Sequence, residues 1–170
     1  MTRRCSFLFC LAVLTACNPG RRAPVDPATL QTPVAAAALR YVIGHCPKRA
    51  EAELAVIVLG DQFVKPAPAF VEKFKDVERL QFIDNGRVEW SRAGGRVMRH
   101  DSQTSKPVLD LKVTSISEAK DGVQEAAVAW ALREEGESFR LEMKAKPDGG
   151  YEIRELEKTA LTSPAATAPK

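Results

Sequence analysis

The chain has few of the residues from which metal and redox sites are built, with two His and four Cys among its 170 residues. The sequence therefore offers few ligands for a zinc site of the zinc-finger kind. No apolar run reaches the roughly 18 residues that a membrane-spanning helix needs. Glycine-rich phosphate loops, nucleophile elbows and HExxH helices are also absent from the sequence. We therefore expect a protein that holds no cofactor or metal and is not an enzyme.

The remaining composition is that of a globular protein, with 45% hydrophobic and 28% charged residues. Lys and Arg number 25 against 22 Asp and Glu, which gives a formal net charge of +3. A chain of this length has room for one domain of ordinary size. Basic residues are not interleaved with aromatic ones, which argues against a nucleic-acid partner.

The first residues have the pattern of an export signal. Arg3 and Arg4 form a positive start, and an apolar stretch of 11 residues follows from Ser6 to Ala16. This stretch has the length of a signal peptide and is too short to span a bilayer. We therefore expect residues 1–16 to direct export and then to be removed.

The stretch ends in Leu14-Thr15-Ala16-Cys17, which resembles the lipobox of bacterial lipoproteins. The resemblance implies that the Cys17 thiol receives a diacylglyceryl group, and that the chain is cut before Cys17 and acylated there. Two or more acyl chains hold a protein firmly on a membrane. Asn18 suggests, by the enteric pattern, an outer-membrane protein that faces the periplasm. The alternative is a plain secretory signal that is cut after Ala16 or nearby.

Proline and small residues divide the mature chain into three parts. Pro19, Pro24 and Pro27 interrupt a segment without apolar periodicity, so residues 17–32 are predicted to be a tether. A single domain is predicted over residues 33–158. Residues 159–170 have little to bury and are expected to form a disordered tail.

The domain begins with helix signals. Thr32 suits an N-cap, Pro33 suits the first helical position and Gly44 suits a helix end, so residues 35–43 are predicted to be helical. Residues 51–59 are ambiguous between a helix and a buried strand. A second amphipathic helix is predicted from three apolar residues at i, i+4 and i+7, which are Phe70, Phe74 and Val77.

Strands are predicted from residue 80 onward. Residues 80–83 and 88–90 flank Asn85-Gly86, which suits the tight turn of a hairpin. Alternating apolar residues predict about four antiparallel strands after that, near residues 108–116, 123–133, 139–143 and 151–156. The expected fold class is α+β, with N-terminal helices packed on a curved antiparallel β-sheet of about four to six strands. This order of elements resembles the NTF2-like and cystatin-like families, whose helices pack into the concave face of such a sheet.

Three groups of residues could carry chemistry, and a structural role is the simpler interpretation of each. Cys46 beside His45 could be an activated nucleophile, but a buried structural thiol is favoured. If Cys17 is lipidated, Cys46 is the one free thiol of the mature chain; otherwise the two could form a disulfide. His100 and Asp101 are expected to face opposite ways on a strand. Solvated carboxylates in a hairpin turn are expected at Glu134, Glu135 and Glu137.

Charge is separated along the chain. Residues 85–106 hold five basic and two acidic residues, a net of +3, whereas residues 117–158 hold seven basic and eleven acidic ones, a net of −4. Such segregation suits an electrostatically steered partner. Because Trp and Arg are favoured interface anchors, partner contacts are predicted at Arg87, Trp90, Arg92, Arg96 and Arg99.

These patterns predict a lipid-anchored, non-enzymatic module that binds an envelope or exported protein. It would be a periplasmic inhibitor or immunity protein, or an envelope accessory factor. The alternative is an NTF2-like small-ligand-binding or enzymatic domain on the same anchor. That alternative predicts a deep apolar cavity that contains His45 or His100 with a carboxylate in hydrogen-bond reach. A purely structural lipoprotein is the third hypothesis.

Overall fold

A computed structural model of the chain describes residues 26–60, 64–93, 96–118 and 120–161. The signal, Cys17 and the rest of the chain before residue 26 lie outside the described residues, as does the tail from residue 162. The described helices are α1 (Pro33–His45) and α2 (Pro68–Val71). The strands in these ranges are β1 (Leu54–Leu59), β2 (Gln81–Phe82), β3 (Val88–Ala93), β4 (Arg96–Asp101), β5 (Val108–Glu118), β6 (Val123–Leu132), β7 (Glu135–Ala145) and β8 (Tyr151–Ala160).

Helix α1 confirms the first predicted helix. The Thr32 side chain accepts a hydrogen bond from the backbone N–H of Ala35 at 3.2 Å, and Pro33 occupies the first helical position. The helix ends at His45, one residue after the predicted stop at Gly44. Its apolar side packs on β5, β6 and β7 and buries Val34, Ala35, Ala38, Leu39, Val42 and Ile43.

The main sheet has six strands in the order β2-β1-β5-β6-β7-β8, so the α+β class and the curved, open sheet are confirmed. The sheet is mixed, however, rather than antiparallel throughout. β1 pairs in parallel with β2 and with β5, in register from Leu54↔Val108 to Leu59↔Val113. All six β1 residues are buried, which is typical of a parallel strand covered on both faces. The ambiguous segment is therefore a strand.

The last four strands form the predicted antiparallel meander. Their alternating apolar residues face α1 and have almost no exposed surface: Leu109, Leu111, Val113, Val128, Trp130, Leu132, Phe139, Leu141 and Met143. The Trp130 indole N–H is satisfied by the Glu137 carboxylate at 3.0 Å. Register shifts at Val113/Ser115 and Arg140/Leu141 mark bulges, which bend the strands.

The hairpin predicted over residues 80–90 is wrong. β2 pairs with β1, whereas β3 pairs with β4 in a separate two-stranded sheet. The Asp84 carboxylate accepts a hydrogen bond from the backbone N–H of Gly86 at 2.8 Å, and Asn85–Arg87 form a 3-10 turn. This side-chain hydrogen bond stabilises a 3-10 turn instead of the two-residue turn of a β-hairpin. β2 therefore does not lead into a strand that pairs with it.

The second predicted helix is shorter than its apolar spacing indicates. Helix α2 has four residues, and the 3-10 turn Glu72–Phe74 follows it before Val77. Phe70 and Phe74 are nevertheless buried and contact each other edge to face at 5.6 Å. Within the described part of the chain, no helix has the length and apolarity to cross a membrane.

The folded unit is longer at both ends than the predicted 33–158. Leu30, in the 3-10 turn Pro27–Leu30, is fully buried in the core. At the other end, β8 continues to Ala160, and the backbone N–H of Leu161 donates to the Gly136 carbonyl at 2.8 Å. Gly136 lies inside β7, where an added Cβ would approach a backbone oxygen of Trp130 to 2.7 Å. The turn before β7 is therefore Arg133-Glu134, earlier than predicted.

Candidate partner-binding surface

The hairpin of β3 and β4 lies on the outer face of the main sheet, the face opposite α1. Val88 at the start of β3 packs against an apolar cluster on that face, formed by Leu54, Val56, Val58 and Val108. Trp90 is paired with Arg99 across the hairpin, and Val88 with Asp101. Because directly paired residues point to the same side of a ribbon, these four side chains share one face.

Arg99 joins the hairpin to the rest of the fold. One guanidinium nitrogen donates to the Asp110 carboxylate on β5 at 2.5 Å, and the other donates to the Asn85 side-chain oxygen at 2.9 Å. Only 9% of the Arg99 side chain and 17% of the Asp110 side chain are exposed. The hairpin is thus held on the sheet by a largely buried ion pair.

Trp90 is the most exposed large apolar side chain in the described ranges, with 62% of its surface open to solvent. The Arg99 guanidinium lies 5.1 Å from the centre of its ring, within cation–π range. Since Arg99 is itself fixed by Asp110 and Asn85, the indole rests against a rigid support. An anchor that is already ordered loses less entropy when a partner binds.

Arg87 is engaged inside the fold rather than presented to a partner. Its guanidinium donates two hydrogen bonds to the fully buried Asp101 carboxylate, at 2.9 and 2.8 Å. Thr104 adds bonds to the same carboxylate from its backbone N–H and its hydroxyl. These bonds, led by those from Arg87, lower the pKa of Asp101 to about 2. The bidentate pair closes the base of the hairpin.

The five predicted contact residues therefore have different positions. Arg87 pairs with Asp101 and Arg99 pairs with Asp110, so the charges of both arginines are largely neutralised. Counting charges along the sequence did not indicate these pairings. Arg92 and Arg96 lie on β3 and β4 next to the hairpin turn, and their side chains are outside the described part. Trp90 is the predicted residue whose described side chain is open to a partner.

Asp110 supports the candidate surface through its ion pair with Arg99, and the sequence interpretation missed it. Burial raises the pKa of Asp110 to about 6, because the loss of hydration outweighs the attraction of the Arg99 guanidinium. An acidic residue within the apolar run of β5, Val-Leu-Asp-Leu, was the available signal. Its partner, Arg99, lies in the two-stranded sheet, and the local sequence pattern around Asp110 does not indicate this pairing.

The other candidate residues take structural positions. His45 is exposed, and its ring nitrogen Nδ1 lies 2.7 Å from the Tyr41 carbonyl. Cys46 is buried, and burial raises the pKa of its thiol, which agrees with an unreactive structural Cys. His100 lies on the hairpin face opposite Asp101, with Nε2 4.0 Å from the Glu89 carboxylate.

The three glutamates near the β6–β7 turn do not act as one group. Glu135 pairs with Lys48 at 3.4 Å, whereas Glu137 pairs with Lys158 at 2.9 Å and accepts from Trp130. Within the described ranges, no three His, Cys, Asp or Glu side chains are arranged to hold a metal ion.

The pockets formed by described residues include three on the surface. One of about 200 Å³ lies by Lys48 and Leu132, one of about 220 Å³ by Phe82, and a wide depression of about 470 Å³ by Cys46. Neither His45 nor His100 lines any of these three. These three pockets therefore do not contain the histidine that the NTF2-like alternative requires in its cavity.

Comparison of the chain with models of known protein families, with curated proteins and with solved structures finds no match. The resemblances to lipoproteins and to NTF2-like or cystatin-like domains therefore rest on this chain's own residues and order of elements.

The raised pKa of Asp110 predicts a loss of stability between pH 4 and pH 6. Its folded-state pKa of about 6 lies above the ordinary 3.8, so the folded chain binds the proton more tightly than the unfolded chain. This contribution is complete below about pH 4 and is lost as the pH rises through about 6, by at most about 3 kcal/mol. Urea unfolding at pH 4 and pH 7 measures the change.

Asp110→Asn is the matched control, because it keeps the shape of the side chain and does not titrate. The free energy of unfolding of the wild type, relative to that of this variant, should therefore decrease between pH 4 and pH 6. A parallel pH dependence of the two proteins would assign the change to other groups and contradict the prediction.

Proposed function

We propose that the protein is a lipid-anchored lipoprotein of the bacterial cell envelope that acts as a non-enzymatic protein-binding module. The observation that carries the proposal is the exposed Trp90, held against Arg99 on the hairpin that covers part of the outer face of the sheet. Tryptophan supplies a large contact area and is enriched among the residues that dominate binding energy. A fixed, solvent-exposed indole suits a protein surface better than a small solute, which needs an enclosing cavity.

The remainder of the outer face supports the hairpin as the contact region. Arg140 approaches Glu125 and Glu157 at 4.0 and 3.7 Å, and Arg154 pairs with Glu142 at 2.7 Å. These cross-strand pairs leave a polar surface whose charges neutralise one another. A partner gains little by desolvating such a surface, whereas it gains apolar contact at Trp90.

The anchor is proposed to be the lipid on Cys17, in the outer membrane and facing the periplasm. Since the described fold begins at Asp26, nine residues, 17–25, connect the lipid to the domain. Nine residues span at most about 30 Å when fully extended. On this proposal the domain stays close to the membrane and the hairpin faces the periplasm.

Two tasks fit this arrangement, the capture of an exported toxin or hydrolase and the support of an envelope assembly. Both require a rigid exposed anchor on a tethered domain, and neither requires a catalytic group. The two tasks differ in the partner rather than in the surface that binds it.

Replacing the anchor should weaken partner binding with little effect on folding. Trp90→Ala is expected to lower the affinity for the envelope partner by about 30-fold or more, the typical loss at a central interface Trp. The stability should fall by no more than about 1 kcal/mol, since the exposed indole contributes one cation–π contact. Quantitative pull-down from envelope extract, with urea unfolding of the same samples, measures both.

Arg154→Ala is the control, because this exposed residue lies on the polar part of the outer face. It should retain the partner at wild-type level. Equal recovery of the same partner by wild type, Trp90→Ala and Arg154→Ala would contradict the proposed role of the hairpin.

The lipid anchor has an independent test. Mass spectrometry of the protein extracted from membranes should find a mature chain that begins at an acylated Cys17, and Cys46 as an unmodified thiol. Cys17→Ala should leave the protein without lipid and uncut at this position. A mature protein with a free Cys17 thiol, or one disulfide-bonded to Cys46, would contradict the anchor.

A further inference from the structure

The hairpin of β3 and β4 is attached to the main sheet by side chains. β3 pairs with β4 in a sheet of their own, separate from the ladder of the six main strands. Val88 packs against the apolar cluster on the outer face, and Arg99 pairs with Asp110. Lys106, which follows β4, pairs with Glu53. The hairpin can therefore leave the sheet without breaking the backbone bonds of the main ladder.

A hairpin released from the sheet would not keep its own structure, because an isolated two-stranded hairpin is marginally stable at best in water. Release would also return the apolar cluster to solvent, including Leu54 and Val56, which are 6% and 1% exposed beneath the hairpin. This cost makes the released form a minor one. Release is thus a local unfolding of residues 88–101, with the main sheet still folded.

The Asp110 carboxylate lies between the hairpin and the main sheet. Its paired neighbours across the sheet, Val56 on β1 and Ala131 on β6, carry no charge. From the hairpin it meets Arg99, whose guanidinium also donates to Asn85 in the turn before β3. Elements of both sheets thus remove the carboxylate from water, and release of the hairpin would return it to water.

Other charged groups belong to the elements that pack around this carboxylate. Lys112 lies on the same face of β5, two residues farther along. Arg133, directly after β6, pairs with Glu51 at 3.6 Å. His100 and Glu89 are paired across the hairpin and face its other side. Histidine is the side chain among these that ordinarily titrates between pH 5 and pH 8, so His100 requires a control.

Protonation of Asp110 and seating of the hairpin are thermodynamically linked. Burial raises the pKa of Asp110 to about 6, whereas release would return it toward the ordinary 3.8. The seated form therefore binds the proton more tightly than the released form, and its advantage is lost as the pH rises through about 6. Between pH 5 and pH 7.5 the equilibrium constant for release should rise by about tenfold.

We propose that the hairpin is a pH-sensitive switch, in which protonation of Asp110 secures it on the sheet and ionisation favours its local unfolding. Trp90 is held against Arg99 only while the hairpin is seated, so mild acid favours the form that presents the indole. The effect on a partner rests on the proposed protein-binding function, whereas the switch itself does not.

Hydrogen exchange measures the release directly. Residues 18–170, which contain every described residue, are compared at pH 5 and pH 7.5, with each amide rate divided by its intrinsic rate at that pH. The ladder amides of β3 and β4 should be less protected than those between β6 and β7. Their protection should be about tenfold higher at pH 5 than at pH 7.5. Asp110→Asn should abolish this difference, and His100→Gln should retain it.

The carboxyl carbon of Asp110 supplies a measurement that needs no variant. Its NMR shift in the wild type should titrate with a midpoint near pH 6, together with the protection of the hairpin amides. A midpoint near the ordinary 3.8 would overturn the switch.

Three results of the exchange experiment would also overturn it. One is a hairpin protected as strongly as the β6–β7 ladder, since the hairpin would then open only with the whole fold. Another is hairpin protection in the wild type that is the same at both pH values. The third is a difference that persists in Asp110→Asn or disappears in His100→Gln, because another group would then be responsible.

Partner recovery tests the consequence for Trp90. Val88→Ala removes an apolar contact that seats the hairpin, so the released form becomes more populated. This variant should recover at least about threefold more of the envelope partner at pH 5 than at pH 7.5, and adding Asp110→Asn should remove the difference. An equal pH dependence of the single and double variants would overturn the effect on the partner.

The switch and the proposed function can fail separately. If hairpin protection is independent of pH while Trp90→Ala loses the partner, the switch fails and the proposed function stands. If protection follows the titration of Asp110 while Trp90→Ala retains the partner, the proposed function fails and the switch stands.

Discussion

The ion pair between Arg99 and Asp110 is the interaction on which the outer side of the molecule depends. It joins the two-stranded sheet to the six-stranded sheet, and the Asn85 side-chain oxygen accepts a second hydrogen bond from the guanidinium. Burial of both charges is costly, and the raised pKa of Asp110 shows that the attraction does not fully offset that cost. The ion pair therefore orients the hairpin more than it adds net stability. Because Arg99 also lies against the Trp90 ring, the pair orients the indole as well.

The two faces of the main sheet have different tasks. Helix α1 covers the inner face and buries the apolar side of β5, β6 and β7, which supplies most of the hydrophobic stabilisation. Among the described residues of the outer face, the large apolar side chains lie where the hairpin covers β1 and the start of β5, and β7 and β8 carry ion pairs there. Trp90 is the most exposed large apolar side chain of the described residues, which makes this side the candidate binding surface.

Local patterns predicted the elements whose causes are local. The Thr32-Pro33 cap identified α1, and two-residue alternation identified the four strands of the meander. The hairpin prediction failed because the Asp84 side chain bonds Gly86 and makes a different turn. The pairing of Arg99 with Asp110 joins separate sheets, so counting charges along the sequence could not reveal it. Arg99 was therefore predicted to contact a partner, although its guanidinium is paired within the fold.

A double-mutant cycle on the ion pair tests the central claim most directly, with Arg99→Met, Asp110→Asn and both changes compared by urea unfolding at pH 7.5. Asp110 is ionised at that pH, so Arg99→Met should destabilise the wild-type background by about 2–4 kcal/mol, because it leaves a buried carboxylate unpaired. In the Asp110→Asn background the same change should cost at least about 1 kcal/mol less. Equal costs in the two backgrounds, within about 0.5 kcal/mol, would contradict the account that this pair holds the hairpin and its tryptophan in place.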